Sequence, residues 1–132
     1  HNPAEVWAAC FQTHHDDIVL TGGDEGQLKI WDIRTGASRP IQTLSKTFEA
    51  GVTVLSPHSR KEHWVAAGSY DETMALLDLR MVSTSQPPRV LHHSDPLGGG
   101  LWRIKWHPHN DTRLLIAAMH GGCRVVDLDL LD

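Results

Sequence analysis

Ten histidines in 132 residues give this sequence an ample supply of imidazole, much of it clustered. His14-His15, His92-His93 and His107/His109 are dense, but none shows a recognised metal-ligand spacing, so no metal and no other cofactor is expected. His107 and His109 flank Pro108, which breaks a strand, and read as polar turn residues. No G-x-S-x-G elbow is present, and "HGGC" (120–123), which sets His120 near Cys123, is no recognised nucleophile motif. The more pointed pair is His120 with Asp95. A carboxylate bonded to that ring would orient it and support its charged form, as a general base requires.

Composition narrows the classes. Sixteen Asp and Glu against twelve Lys and Arg leave a net charge of -4, with charges scattered in short clusters. A nucleic-acid surface normally shows a basic excess on one face, so no nucleic-acid partner is expected. No apolar run approaches the roughly 18 residues of a membrane span. Two cysteines, Cys10 and Cys123, lie far apart with no CxxC spacing, which suggests a reducing compartment and a cytoplasmic location. The sequence begins at His1 with no signal peptide and no initiator Met, and is expected to be cut from something longer.

The elements that must position these groups emerge from self-similarity. "LKIWDIR" (28–34), "MALLDLR" (74–80) and "CRVVDLD" (123–129) align on Asp32, Asp78 and Asp127, which stand 46 and 49 residues apart. Ten residues before each aspartate come Gly22, Gly68 and Ala117; 25 before come Trp7, Thr53 and Trp102. Each unit reads as three short strands separated by turns. A weaker fourth strand follows in "PIQTL" (40–44) and "PRVLH" (88–92). In the third unit Trp102, Ile104 and Trp106 alternate with Arg103 and Lys105.

Four strands in a period near 45 residues predict an all-β, WD-repeat β-propeller. Residues 1–132 form one partial propeller, with units at about 5–35, 40–81 and 88–129. Such rings close with roughly 4 to 8 blades, so these are about three blades of a larger ring.

Equivalence of the units also sorts residues by rim. His120 falls seven residues before Asp127, where Glu25 and Asp71 stand in the other units. That turn ordinarily carries an Asp bonded to a His in the loop before the first strand; here "HHSDPLGGG" (92–100) supplies Asp95 and the turn supplies His120. The competing reading is the usual turn-locking hydrogen bond with partners exchanged. Asp24, Asp71, Gly98, Gly99, Gly100, Trp7 and Trp102 belong to the same rim.

"VWAACFQ", "TGGDEGQLKIWDIR", "GSYDETMALLDLR", "GGGLWRIKWHP" and "LLIAAMHGG", in that order, resemble the WD-repeat diphthine methylesterase family of diphthamide biosynthesis. The likeness runs from about Glu5 to Val126. It departs from the pattern at "ALLD", where a Trp-Asp ending is usual. The resemblance implies a hydrolase that removes a methyl ester from a modified histidine of translation elongation factor 2, releasing methanol. It further implies that Trp7, Asp24, Asp71, Gly99, Gly100 and Trp102 bind the substrate, whose trimethylammonium group suits aromatic faces and carboxylates. The plainer roles are blade packing for the tryptophans and turn formation for Asp24 and Asp71.

A second reading is a non-catalytic scaffold, or a substrate receptor. "WDIR" (31–34) and "LDLR" (77–80) resemble the WDxR box that docks receptors on the adaptor of a cullin-type ubiquitin ligase, with Arg34 and Arg80 as docking residues. Alternatively these arginines cap strand ends and pair with nearby acids, worth under about 1 kcal/mol each.

Overall fold

Eleven strands in three antiparallel sheets make up a computed structural model that describes residues 5–36, 39–80, 82 and 86–130. The first sheet holds β1 (Val6–Gln12), β2 (His15–Gly23), β3 (Leu28–Asp32) and β4 (Gln42–Leu44), paired in chain order. The second holds β5 (Val52–Pro57), β6 (Trp64–Ser69), β7 (Met74–Asp78) and β8 (Arg89–His93). The third holds β9 (Arg103–Trp106), β10 (Arg113–Ala117) and β11 (Cys123–Asp127). Gly22 pairs with Leu28, Gly68 with Met74 and Ala117 with Cys123, so the three central turns span the same number of residues.

The sheets stack as blades. Their first strands are neighbours, β1 against β5 and β5 against β9, which sets those strands side by side on the inner edge.

Side-chain alternation in the middle blade divides the core in two. Val65, Ala67, Ala75 and Leu77 face the first blade and join Leu20, Leu28, Ile30, Phe48 and Val52. Ala66, Met74 and Leu76 face the third and join Leu101, Ile104, Leu114 and Ile116. A strand covered on both sides has no polar positions to offer, which is why β7 reads "MALLD" while β3 reads "LKIWD". Leu77 is fully buried, and fills the packing position that Trp31 holds in the first blade. Trp31 instead stays half-buried and donates Nε1–H to Thr21 Oγ1 at 2.9 Å.

A polar lock joins the second and third blades at the end where β5–β6 and β9–β10 turn. His58 is wholly buried. Its Nδ1 accepts the backbone N–H groups of Arg60 and Lys61, each at 3.0 Å, so the ring proton resides on Nε2 and is donated to the Asp111 carbonyl at 3.0 Å. Burial holds this imidazole below its ordinary pKa. Arg60 reaches across to Asp111 Oδ1 at 2.5 Å and to the Pro108 carbonyl at 2.7 Å. The turn of the third blade is closed the same way, with His107 Nδ1 accepting from His109 N and Asn110 N at 3.0 and 3.1 Å. The indole of Trp106 packs on His58 and donates to the Ser56 carbonyl at 3.0 Å. No helix among the described residues is long and apolar enough to cross a membrane.

Candidate functional site

The inner strands enter their ladders irregularly, and this builds a cavity. Val6 pairs with Gly23 and Ala8 with Gly22, leaving Trp7 as an extra residue in β1. Val52 pairs with Ser69 and Val54 with Gly68, leaving Thr53 as an extra residue in β5. A bulge twists its strand and re-aims the unpaired side chain. At the equivalent place in the third blade, Trp102 precedes β9 altogether, held by its backbone N–H to the Ala117 carbonyl at 2.8 Å. Alternation predicted Trp102 on one side with Ile104 and Trp106. Ile104 is buried, but Trp102 lies off the ladder and is 60% exposed.

Trp7, Thr53 and Trp102 thereby line one cavity of about 500 Å³, together with Arg103, Ala8, Ala9, Val54 and Leu55. The Trp7 ring lies against the Gly51 backbone, where any β-carbon would sit 2.1 Å from Cζ3. Its Nε1–H points to Glu5 Oε2 at 3.3 Å. The Thr53 hydroxyl donates to the Leu101 carbonyl, tying the middle blade to the third.

The other rim residues sit close by but outside this cavity. Asp24 is exposed on the β2–β3 turn. Both carboxylate oxygens of Asp71 are engaged structurally: Oδ1 accepts from Thr73 N and Oγ1 at 2.9 and 2.6 Å, and Oδ2 from Glu49 N at 2.9 Å. Gly99 and Gly100 are buried, and the reason is backbone approach. A β-carbon at Gly99 would lie 2.1 Å from the Ala118 carbonyl oxygen, and one at Gly100 would press on Met119 and Tyr70. The glycine run is thus packed beneath the β10–β11 turn.

The expected Asp95–His120 pair is not formed. His120 is exposed on a short 3-10 turn, Met119–Gly121, and Asp95 is exposed in the loop after β8. That loop is pinned to the middle blade, Leu97 N–H donating to the Glu72 carbonyl at 2.8 Å. Among the described residues no hydrogen bond or ion pair links the two side chains, and no group of three His, Cys, Asp or Glu is placed to hold a metal.

Arg34 and Arg80 occupy the opposite end, where both line a groove of about 250 Å³ with Gln12, His15, His63 and Leu79. Arg34 forks onto Asp32, Nε to Oδ1 at 3.0 Å and Nη2 to Oδ2 at 2.7 Å, and holds that carboxyl below the usual carboxylate range. Asp78 accepts Arg80 N–H at 2.9 Å, while the Arg80 guanidinium stays 4.0 Å from its carboxylate. In the third blade Asp127 takes Arg113 from the neighbouring strand instead, at 2.6 Å.

Sequence reasoning left Thr53 and Arg103 without a role. For Thr53 the signal was present, since it stands at the same offset from its aspartate as Trp7 and Trp102.

Comparison with known proteins agrees with this geometry. The model of the family "WD domain, G-beta repeat" matches residues 1–32. The β-propeller domain of Cps50 (Swd1) from Myceliophteria thermophila superposes with a TM-score of 0.76 at 18% identity, over 96% of this chain and 35% of that one. The fold is a WD-repeat β-propeller. The three blades thus correspond to about a third of that propeller domain.

Among curated proteins, the diphthine methyltransferase of Homo sapiens is 39% identical over 123 residues, covering 93% of this chain and 25% of the relative. The diphthine methyltransferase homolog of Dictyostelium discoideum is 37% identical over 95% of this chain and 35% of its own length. Human nucleoporin Nup43 is 29% identical over 78% of this chain and 26% of its own length. The chain therefore spans between a quarter and about a third of the curated relatives it matches.

Proposed function

We propose that the protein carrying these blades hydrolyses the methyl ester of methylated diphthine on translation elongation factor 2, a step of diphthamide biosynthesis that releases methanol. The likeness to proteins named diphthine methyltransferase supports the pathway. The observation that carries the reading is the cavity in which two exposed tryptophans, Trp7 and Trp102, converge from different blades. A permanent cation such as trimethylammonium is attracted to indole faces in just such a place, by about 0.5–2 kcal/mol per ring. His120, exposed on the turn beside this rim, is the candidate general base for the attacking water. The substrate is a translation factor, so the work is placed in the cytoplasm.

The test is to incubate the intact protein with methyl-esterified elongation factor 2 and follow mass and methanol. Loss of one methylene unit with methanol release supports hydrolysis; a gain of methyl, or no change, removes it. His120→Gln is expected to slow turnover, and full activity would remove only that residue from the mechanism.

A second reading has its own observation, since Arg34 and Arg80 line one groove between adjacent blades. Docking on the adaptor of a cullin-type ubiquitin ligase would use both guanidinium groups at once. The paired variant Arg34→Ala/Arg80→Ala should then lose purified adaptor while keeping ester hydrolysis.

A further inference from the structure

The β10–β11 turn is built differently from its two counterparts. In the first and second blades the left-handed residue stands six positions before the closing aspartate, at Gly26 and Glu72, each with φ 77°. In the third blade it moves to Met119 at φ 47° and Gly122 at φ 81°, around the single 3-10 turn Met119–Gly121. A side chain such as that of Met119 is strained in this region, and stays there only where its surroundings hold it.

What holds the turn also differs. In the middle blade Asp71 locks its turn to the loop preceding β5, Oδ2 accepting the Glu49 N–H at 2.9 Å while Oδ1 accepts from Thr73 N. His120 stands at the equivalent position, seven residues before Asp127. Among the described residues its side chain makes no hydrogen bond or ion pair, so it locks nothing. The lock comes instead from Arg124 on β11, whose Nε–H donates to the Leu97 carbonyl at 3.1 Å, in the loop preceding β9. The guanidinium lies over Gly98, where a β-carbon would sit 3.1 Å from Nη2.

Beside this contact, loop and turn touch backbone to backbone. A β-carbon on Gly121 would lie 2.6 Å from the Gly98 carbonyl carbon. Leu97 is the tie between two blades: its N–H is held by the Glu72 carbonyl of the middle one at 2.8 Å, and its carbonyl by Arg124 of the third. Arginine suits this task, because it stays charged at any working pH and needs no proton exchange to keep its donors.

We infer that Arg124 is a positioning residue: by locking the 94–100 loop to the third blade beside the β10–β11 turn, it fixes His120 on the rim with its imidazole unengaged. The inference rests on the hydrolytic reading, in which His120 takes a proton from the attacking water. A base contributes only while it is held within reach of that water, so a loosened turn costs turnover rather than substrate affinity.

The test uses the intact protein and methyl-esterified elongation factor 2. Methanol release gives kcat and KM, and amide hydrogen exchange over residues 118–122 reads the order of the turn. Arg124→Ala is expected to lower kcat about tenfold with KM changed by less than about twofold, and to speed exchange at Gly121 and Gly122. Arg124→Lys keeps a cationic donor and should recover part of the rate; it carries the same comparison if the alanine variant does not fold. Because Arg124 acts through His120, the double variant His120→Gln/Arg124→Ala should be no slower than His120→Gln alone. An unchanged kcat, losses that multiply in the double variant, or exchange that Arg124→Ala leaves unaltered would each overturn the inference. So would full activity of His120→Gln beside a slow Arg124→Ala. Failure of the hydrolytic reading looks different: no methanol from the unaltered protein removes that reading and the positioning role together, while faster exchange in Arg124→Ala still keeps the lock.

Discussion

Gly22 faces Val52 across the first blade interface so closely that a β-carbon on the glycine would lie 2.4 Å from Val52 Cγ1. Gly68 stands in the same relation to Leu101 across the second, 2.8 Å from Cδ2, with Val54 Cγ1 at 2.7 Å. Both partners are fully buried. Gly68→Ala and Gly22→Ala are each expected to wedge two blades apart and cost about 1–3 kcal/mol. The urea midpoint of the intact protein measures this, and an unchanged midpoint would mean the interface relaxes freely.

The buried imidazole of His58 ties stability to pH. Its folded pKa lies below the unfolded value of about 6.5, because burial disfavours the charged form and Nδ1 already accepts two backbone N–H groups. A depressed pKa contributes stability that is complete above the unfolded value and is lost as pH falls through the folded one. Asp111, held low by Arg60, acts in the same direction in more acid solution. Stability should therefore decline between neutral pH and pH 5. His58→Asn retains an acceptor for the turn and should flatten that decline, as read by urea melts at several pH values.

The two thiols should differ in reactivity. Burial pushes Cys10 up to about 11, whereas Cys123 is exposed. Iodoacetamide at pH 8 is expected to alkylate Cys123 first and Cys10 more slowly. Peptide mass spectrometry gives the order, and prior labelling of Cys10 would contradict the partial burial of its thiol.

Two surface arginines should not be equivalent. Arg60 bonds across two blades, to Asp111 and Pro108, whereas Arg34 folds back on Asp32 two residues away. Arg60→Ala is expected to cost about 1 kcal/mol, an exposed pairing reinforced by contacts to backbone carbonyls, and Arg34→Ala is expected to cost less. Thermal denaturation of the two variants side by side decides between them.

Much of the fold was legible because its signals are local. Strand length, turn residues and the repeated aspartate give the units their register, and β7 could be recognised as odd by its unbroken apolar run. The candidate site was legible only in part. Equivalent offsets marked Trp7 and Trp102 as partners on one rim, yet Asp95 and His120, which share that rim, are not joined. Rim membership follows from repeat position, whereas a hydrogen bond depends on loop paths that no repeat spacing specifies.

From its sequence alone this protein could be read as blades of alternating strands, since side-chain period and turn chemistry act within a few residues. Tertiary structure decided which side chains meet. Trp7 and Thr53 turn toward the cavity because each is the unpaired residue of a bulge, and a bulge exists only relative to its partner strand. Gly99 and Gly100 close under a turn some twenty residues later, and Arg103 finds two indoles on different blades. Those relations depend on the distance between sheets, which is set by the packing of Val52 and Leu101 against glycine.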